Sequence, residues 1–237
     1  MKSYHRKRGF TLVEILVSIA IIATLAGMTF LVASRAKKSA LSAKTINNLR
    51  EIGVCVGLWS ADNNNCYPAC WDQSKNRSYA QALDPYMHSV ESYRSLDSKF
   101  IGPNKRIPVK VNGFSHPMTY STNPAVSPDV TLGAALIRAS QVDNPSGVIL
   151  MADGCQNPGN LGQSSASAYQ LAKMGDKGTM AQGKDPIPVG TDVDTSAGTG
   201  WFRYDGGKCH VLFCDGSAKA FAKGTILKRN IWREMTP

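Results

Sequence analysis

Two features are missing near the start of this chain: proline, and charge within one long apolar run. No proline occurs before Pro68, and residues 15–33 contain no charged or amide side chain. Nothing there obliges a helix to break, and about 20 apolar residues suffice for a helix to cross a membrane. Acids are also scarce, with 17 Asp and Glu against 27 Lys and Arg, which gives a net charge of +10. Because the basic residues cluster around the apolar run and no nucleic-acid-binding motif is present, we expect a membrane segment and no nucleic-acid partner.

A cleaved secretory signal peptide is the alternative interpretation of the apolar run. The run is longer than the 7–15 residues typical of such peptides, and no small-x-small cleavage site ends it. Residues 35–61 instead continue in helical register, because apolar residues recur at spacings that keep one face apolar. We predict a basic leader over 1–9, a transmembrane helix over 10–34 and an amphipathic half over 35–61. The apolar positions are Leu41, Leu49, Ile52, Val56 and Trp59.

The remainder, residues 62–237, is expected to be a small α+β domain. "DNNNCYP" (62–68) should end the helix, and residues 79–90 predict a short helix. Residues 106–111, 117–122 and 146–153 read as short strands. Residues 154–200 carry little periodicity and predict a long irregular loop. Two strand-like runs over 208–222 flank Asp215-Gly216, which indicates a hairpin with a two-residue connection.

The opening stretch "RGFTLVEILVSIAIIATLA" (8–26) resembles the N-terminus of type IV pilin-like proteins, including the pseudopilins of type II secretion. The resemblance implies that a prepilin peptidase cuts after Gly9 and methylates the new amino group of Phe10. It implies a pilin-like fold, in which the long helix packs on a small antiparallel sheet. It also implies a single-pass inner-membrane protein with its N-terminus in the cytoplasm and its domain in the periplasm. Other pilin subunits and an inner-membrane assembly platform would then be its partners, and residues 10–34 would form the filament core.

Glu14 is the one acid beside the apolar run. A carboxylate within hydrocarbon should have a partner. In a filament, Glu14 of one subunit could pair with the Phe10 ammonium of a neighbour, so each charge would neutralise the other. The alternative is that Glu14 lies at the headgroup boundary without a partner.

The C-terminal segment "FRYDGGKCHVLFCDGSAKAF" (202–221) is similar to the ending of a bacterial prepilin-like group named for a histidine, nine residues and Asp-Gly. Asp215 and Gly216 match the Asp-Gly pair, and Arg203 also fits. Asp205 stands where the group has its histidine, and His210 does not replace it by spacing. A role for that histidine therefore does not carry over to this chain.

Six cysteines suggest an oxidising compartment beyond the membrane, but sequence cannot choose among 15 pairings. Packed thiols, disulfides and a thiol or metal site that includes His210 are all open, although the spacings do not fit a zinc knuckle. Cys209 and Cys214 would face opposite sides of a regular strand. The candidates for disulfides are Cys66, Cys70, Cys155, Cys209 and Cys214.

Two further binding hypotheses concern the domain. Residues 191–200, "TDVDTSAGTG", faintly resemble an oxygen-rich calcium loop, and the resemblance to major pseudopilins implies calcium in their C-terminal region. The aromatic residues Trp71, Tyr79, Tyr93 and Trp201 could form a glycan-binding surface. Our expectation is a structural subunit of a pseudopilus or pilus that is not an enzyme and needs no cofactor. The alternative is an anchored binding module that uses the pilin-type helix only for export.

Overall fold

The protein's structure is a computed structural model, and it describes residues 11–87, 98–110, 117–130, 134–193 and 200–237. The chain divides into two units, residues 1–40 and residues 41–237. One long helix begins near the N-terminus, and the second unit contains a small antiparallel sheet. The α+β fold class predicted from the sequence is confirmed.

The described elements are mostly short. The helices are α1 (Leu12–Asp62), α2 (Tyr79–Leu83) and α3 (Tyr169–Ala172). The strands are β1 (Trp71–Asp72), β2 (Arg77–Ser78), β3 (Tyr120–Thr122), β4 (Ile149–Asp153), β5 (Gln156–Asn157), β6 (Gln163–Ser164), β7 (Lys177–Thr179), β8 (Lys208–Phe213), β9 (Ala218–Ala222) and β10 (Glu234–Thr236). Short 3₁₀ turns cover Gln73–Lys75, Asp84–Tyr86, Ala139–Gln141, Pro158–Asn160, Gln182–Lys184 and Lys228–Asn230.

Helix α1 matches the predicted long helix closely at both ends. In the first unit, the large apolar side chains of residues 12–30 are 49–80% exposed. A helix that is apolar on every side is suited to lipid or to other apolar helices. At the other end, Asn64 and Asn65 have φ angles of 55° and 59°, a left-handed conformation that asparagine tolerates better than most residues. The predicted helix stop at "DNNNCYP" is therefore confirmed.

Along residues 41–62, α1 buries one face against the domain and leaves the other in solvent. Val54 and Leu58 on the outer face are 65% and 48% exposed. The buried residues lie three and four positions apart, as one face of a helix requires. Four of the five predicted apolar positions are at most 4% exposed, and the fifth, Leu41, is only partly buried; the four are Leu49, Ile52, Val56 and Trp59.

Two glycines in this half of α1 should respond oppositely to alanine. A Cβ at Gly53 would lie 2.9 Å from Leu212 Cδ1 and 3.1 Å from the Gly216 carbonyl oxygen, whereas one at Gly57 meets nothing within 4 Å. We expect Gly53→Ala to destabilise the domain by about 1–3 kcal/mol through overpacking. Gly57→Ala should stabilise it by about 0.5–1 kcal/mol, because alanine loses less backbone entropy in a helix. Urea unfolding followed by tryptophan fluorescence measures both, and equal effects at the two positions would contradict this packing.

The central sheet has the strand order β3–β4–β8–β9, with every neighbouring pair antiparallel. Strands β8 and β9 form the predicted hairpin, in a register that runs from Lys208 opposite Ala222 to Leu212 opposite Ala218. The Phe213 N–H donates to the Ser217 carbonyl at 2.8 Å, so the last residue of β8 pairs with the residue just before β9 and leaves a three-residue loop, Cys214–Gly216. The predicted two-residue turn is wrong. The Gly216 N–H donates to the Phe213 carbonyl at 3.0 Å, and Gly216 has a φ of 85°. A three-residue loop that ends in a left-handed glycine is a common hairpin geometry.

The two faces of this sheet bury two apolar clusters. One face packs against the buried side of α1, through Leu150, Met151 and Leu212. The other face packs against the C-terminal part of the domain. Its members from the sheet are Ile149, Ala152, Cys209, Val211 and Phe213, and those that cover it include Ile187, Phe202, Tyr204, Ile226 and Ile231. The sheet is consequently covered on both sides, and β4 is buried along its whole length.

The strand predicted over residues 106–111 is wrong for its described part, residues 106–110. The backbone N–H groups of Arg106 and Ile107 donate to Gln156 Oε1 at 2.6 and 3.1 Å, and Gln156 Nε2 donates to the Ile107 carbonyl at 3.0 Å. A side-chain amide thus satisfies the backbone groups that a neighbouring strand would otherwise bond. Alternating apolar residues predicted a strand here. The prediction failed because the sequence does not reveal that Gln156 is the hydrogen-bond partner of this backbone.

Two other predictions need correction in their extent. The helix over 79–90 ends at Leu83 and continues as a 3₁₀ turn, because Pro85 has no N–H with which to continue the α-helical hydrogen bonds; residues 88–90 lie outside the described part. The interval 154–200 is not a continuous irregular loop, since β5, β6, α3 and β7 lie in it. The strands predicted over 117–122 and 146–153 are present as β3 and β4.

Candidate functional site

The start of α1 carries the predicted processing and assembly residues. Gly9 and Phe10 lie outside the described residues, so their roles stay predictions. At Glu14, Oε2 accepts hydrogen bonds from the Thr11 N–H at 2.8 Å and from Thr11 Oγ1 at 2.9 Å, and the Glu14 N–H lies 3.3 Å from Thr11 Oγ1. This reciprocal pattern is a capping box, which satisfies N–H groups at the helix start. The Thr-x-x-Glu spacing could have revealed it in the sequence.

The apolar part of α1 is a candidate membrane span. Among the described residues it is the one helix long and apolar enough to cross a membrane, and the most apolar part has no buried residue. Inside it, Ser18 Oγ and Thr24 Oγ1 donate to the carbonyls of Glu14 and Ile21, at 2.7 and 2.8 Å. Its few polar side chains are thereby satisfied within the helix, as a lipid environment demands.

A cluster of buried polar residues lies at one end of the central sheet, where β4 meets β8. Its members are 0–4% exposed: Asn104, Asp153, Gln156, Arg203 and His210. Three donors converge on Asp153 Oδ2: His210 Nδ1 at 2.7 Å, the His210 N–H at 2.9 Å and Asn104 Nδ2 at 2.9 Å. Arg203 Nη2 lies 3.4 Å from Asp153 Oδ1. The buried negative charge is therefore surrounded by donors, as burial of a charge requires.

Arg203 is held from several sides. Its Nη1 donates to the Asn104 carbonyl at 2.8 Å and lies 3.4 Å from Gln156 Oε1. Arg203 is one of the residues that fit the C-terminal resemblance. In the structure it contacts Asn104 and Asp153 inside the domain, which is a structural role. Asp153 ends β4 with no exposed surface, although an Asp-Gly pair is typical of a turn. No spacing in the sequence links these distant positions.

His210 also contacts α1. Its Nε2 lies 2.6 Å from Ser42 Oγ, so the ring connects the sheet to the helix. Sequence reasoning paired His210 with Cys209 as a candidate thiol site. The two side chains instead lie on opposite faces of the sheet. The His210 ring faces α1, and Cys209 packs in the apolar cluster on the other face, against the C-terminal part of the domain.

The six cysteines are present as thiols, five of them buried and Cys214 partly buried. Burial raises the pKa of the Cys70 and Cys214 thiols to about 12, and it raises the pKa of Cys209 well above the ordinary value. A thiol must ionise to act as a nucleophile or a metal ligand, so these three are poorly suited to either. Disulfides of Cys66, Cys70, Cys155, Cys209 and Cys214 stay a prediction. Among the described residues no group of three or more His, Cys, Asp or Glu could hold a metal.

Asp205, at the position of the missing histidine, has a partner of its own. Arg106 lies between two carboxylates, with Nε 3.5 Å from Asp205 Oδ1 and Nη2 3.2 Å from Asp192 Oδ2. Asp192 Oδ1 accepts the Tyr204 N–H at 2.8 Å. Asp192 belongs to the predicted calcium loop, of which residues 194–199 lie outside the described part. Arg106 supplies positive charge at Asp192, and calcium binding stays a prediction.

Asp215 and Gly216 have a turn role. Asp215 Oδ1 accepts hydrogen bonds from the Ser217 N–H at 2.9 Å and from Ser217 Oγ at 2.7 Å, which fixes the hairpin loop. Both residues also line a half-open cavity of about 170 Å³ beside Gly53 and Tyr67. Typical ligand pockets measure about 300–1,000 Å³. The cavity is therefore small for a sugar chain.

The proposed aromatic surface does not assemble as predicted. Tyr79 is fully buried, and its hydroxyl donates to the Tyr120 carbonyl at 2.7 Å. Trp71 and Trp201 are partly buried, and Tyr93 lies outside the described residues. Tyr79 is thus a core residue, and the prediction that it belongs to a glycan-binding surface is wrong.

An exposed apolar helix near the N-terminus, followed along the chain by a small domain, is the pattern expected of a membrane-anchored protein. A family model described as the prokaryotic N-terminal methylation motif matches residues 4–30 of the chain. The chain therefore carries the prepilin-type signal of type IV pilins and pseudopilins, and Gly9, Phe10 and Glu14 all lie within it. No curated protein and no solved structure matches the chain. The similarity to the C-terminal group stays a prediction.

Proposed function

We propose that the chain is a pilin-like structural subunit, cut after Gly9, methylated on Phe10 and assembled into a type II secretion pseudopilus or a type IV pilus-like filament. The observation that carries the proposal is the combination of the methylation motif at 4–30 with a helix whose apolar side chains are 49–80% exposed. Such a surface is stable in lipid before assembly. In a filament, the same surface would be covered by the helices of neighbouring subunits.

The proposed topology follows from the site of processing. Prepilin peptidase acts at the cytoplasmic face, so the basic leader lies in the cytoplasm and the domain from residue 35 onward lies in the periplasm. The leader carries Lys2, Arg6, Lys7 and Arg8, which agrees with the preference for basic residues on the cytoplasmic side. Other pilin or pseudopilin subunits and an inner-membrane assembly platform are the proposed partners.

The proposed role is assembly and not enzymatic turnover. Burial raises the pKa of the Cys70, Cys209 and Cys214 thiols, which disfavours nucleophilic or metal chemistry at these three positions. No cofactor is needed for the role. The raised thiol pKa values favour a structural role over thiol chemistry, and the methylation motif favours a filament subunit over an anchored binding module.

Processing is tested at Gly9. Gly9→Leu should leave the chain uncut, because a bulky side chain would occupy the position next to the cleaved bond. Intact-mass analysis of membrane-extracted protein, made with and without prepilin peptidase, should give a wild-type chain that begins at Phe10 and carries one methyl group. Gly27→Ala is the matched control: a Cβ there meets nothing within 4 Å, so cleavage should proceed normally. A cut Gly9→Leu chain would place the junction elsewhere, and a wild-type chain that keeps Met1 beside active peptidase would favour the anchored binding module.

A further inference from the structure

Three side chains from distant parts of the second unit form a hydrogen-bonded row. Ser42 Oγ lies 2.6 Å from His210 Nε2, and His210 Nδ1 lies 2.7 Å from Asp153 Oδ2. The order is hydroxyl, imidazole, carboxylate, and both distances fall within hydrogen-bond range. The proposed filament role uses neither contact. The residues come from α1, β4 and β8, so the folded domain alone brings them together.

The surroundings of Asp153 fix the tautomer of the imidazole. Its Oδ2 also accepts from the His210 N–H and from Asn104 Nδ2, both at 2.9 Å, so the carboxylate oxygen acts as an acceptor. We therefore assign the ring proton to His210 Nδ1, which donates it to that oxygen; Asn104 Nδ2 also lies 3.3 Å from Nδ1. In the neutral ring Nε2 is left as an acceptor, and it receives the hydroxyl proton of Ser42. This is the arrangement in which a histidine serves as general base for a serine.

The hydroxyl of Ser42 differs from other hydroxyls in α1. Ser18 Oγ and Thr45 Oγ1 donate to the carbonyls of Glu14 and Leu41, one turn back in the same helix, which is the ordinary contact for such residues. Ser42 instead faces a ring nitrogen that can remove its proton. Ser42 is only partly buried, whereas His210 and Asp153 are 2% and 0% exposed, so Ser42 is the member of the row nearest to solvent.

We propose that Ser42 is a covalent modification site, a base-activated hydroxyl that accepts an acyl group from an activated ester or thioester. Ser42 Oγ forms a bond to the carbonyl carbon, and its proton passes to His210 Nε2. The bond from that carbon to the leaving oxygen or sulfur then breaks, and the leaving group takes the proton from Nε2. Asp153 is a positioning residue that holds the ring in the required tautomer.

The helix limits this chemistry to a single modification. Ser42 and Ala43 lie inside α1, where backbone N–H groups bond to carbonyls one turn back. These N–H groups cannot form the pair of donors that stabilises the oxyanion in serine hydrolases. Ser42 therefore reacts with activated donors, and repeated turnover is not part of the proposal. The inference is independent of filament assembly.

The experiment compares Ser42 with Ser39, an exposed serine of the same helix. The full-length protein in detergent micelles is treated with p-nitrophenyl acetate and, separately, with an alkyl fluorophosphonate. Peptide mapping with fragment-ion sequencing gives the rate of modification at each serine. General-base catalysis is worth about 100-fold or more, so we expect Ser42 to react at least about 100-fold faster than Ser39. Ser42→Ala should lose the modification, whereas Ser39→Ala should leave it unchanged.

His210→Gln removes the base and keeps a polar side chain in the cluster. We expect it to lower the rate at Ser42 to that of Ser39 while the near-ultraviolet circular dichroism of the domain is retained. If this variant does not fold, the ratio of the Ser42 rate to the Ser39 rate in the wild type decides alone. The proposal is overturned if that ratio is near one, or if folded His210→Gln reacts at Ser42 as fast as the wild type.

Discussion

Replacing Asp153 with alanine should destabilise the domain by about 3–5 kcal/mol, because it leaves a buried arginine without its counter-charge. Arg203 has no exposed side-chain surface, and among the described residues Asp153 is the acid that lies within ion-pair distance of it. The same substitution also removes the acceptor of His210 Nδ1, the His210 N–H and Asn104 Nδ2. Since the free energy of unfolding of a domain is commonly about 5–15 kcal/mol, this substitution should remove a large fraction of it.

The measurement is urea unfolding of the full chain in detergent, followed by the fluorescence of the four tryptophans, all of which lie between residues 59 and 232. Asp205→Ala is the matched control. It also removes an acid paired with an arginine, but Asp205 and Arg106 are 38% and 43% exposed, so about 0–1 kcal/mol is expected. If Asp153→Ala and Asp205→Ala lower the free energy of unfolding equally, burial does not determine the cost of removing the acid.

A double substitution separates the charge from the packing. Asp153→Leu together with Arg203→Met removes both charges and keeps much of the volume. Replacing a buried ion pair by apolar residues is often tolerated better than removing one partner. We therefore expect the double variant to be more stable than Asp153→Ala. A double variant that is less stable would show that the hydrogen bonds to Asn104 and His210, and not the charge of Arg203, dominate.

Local patterns were sufficient to predict the parts of the fold that depend on local interactions. Helix α1 has no internal proline, and the positions of Leu49, Ile52 and Trp59 gave its buried face, because the helical period alone places them there. The Asp215-Gly216 pair located the hairpin for a similar reason: a left-handed residue is needed where the strands turn. The three-residue connection was missed, since the same pair fits both loop lengths.

The buried polar cluster could not be predicted, because its contacts join residues far apart in the chain. His210 is 57 residues from Asp153 and 168 residues from Ser42. Asp153 precedes a glycine, which favours a turn in the sequence, while the structure makes it the end of a buried strand. The segment 106–110 was misassigned for the same reason. Its backbone bonds to Gln156, a partner that no periodicity reveals.

Replacing Glu14 with glutamine should leave cleavage and methylation intact and reduce filament recovery about tenfold or more. In the structure Glu14 completes a capping box with Thr11, so a filament defect in Glu14→Leu could come from a lost cap or from a lost charge. Glutamine separates the two, because it also serves at this position of a capping box but carries no charge. If Glu14 neutralises the Phe10 ammonium of a neighbour, glutamine should fail as leucine does.

Thr11→Val is the reciprocal control, because it removes the capping hydroxyl and keeps the Glu14 charge. We expect it to cost about 0.5–2 kcal/mol of helix stability and to leave filament recovery close to that of the wild type. Recovery is measured as subunit in the sheared filament fraction, and intact mass confirms a methylated Phe10 in every variant. If Glu14→Gln assembles normally while Thr11→Val does not, Glu14 is needed for capping of the helix and not for its charge. Only the opposite result supports the charge pair, because a neutral amide cannot compensate an ammonium group in an apolar filament core.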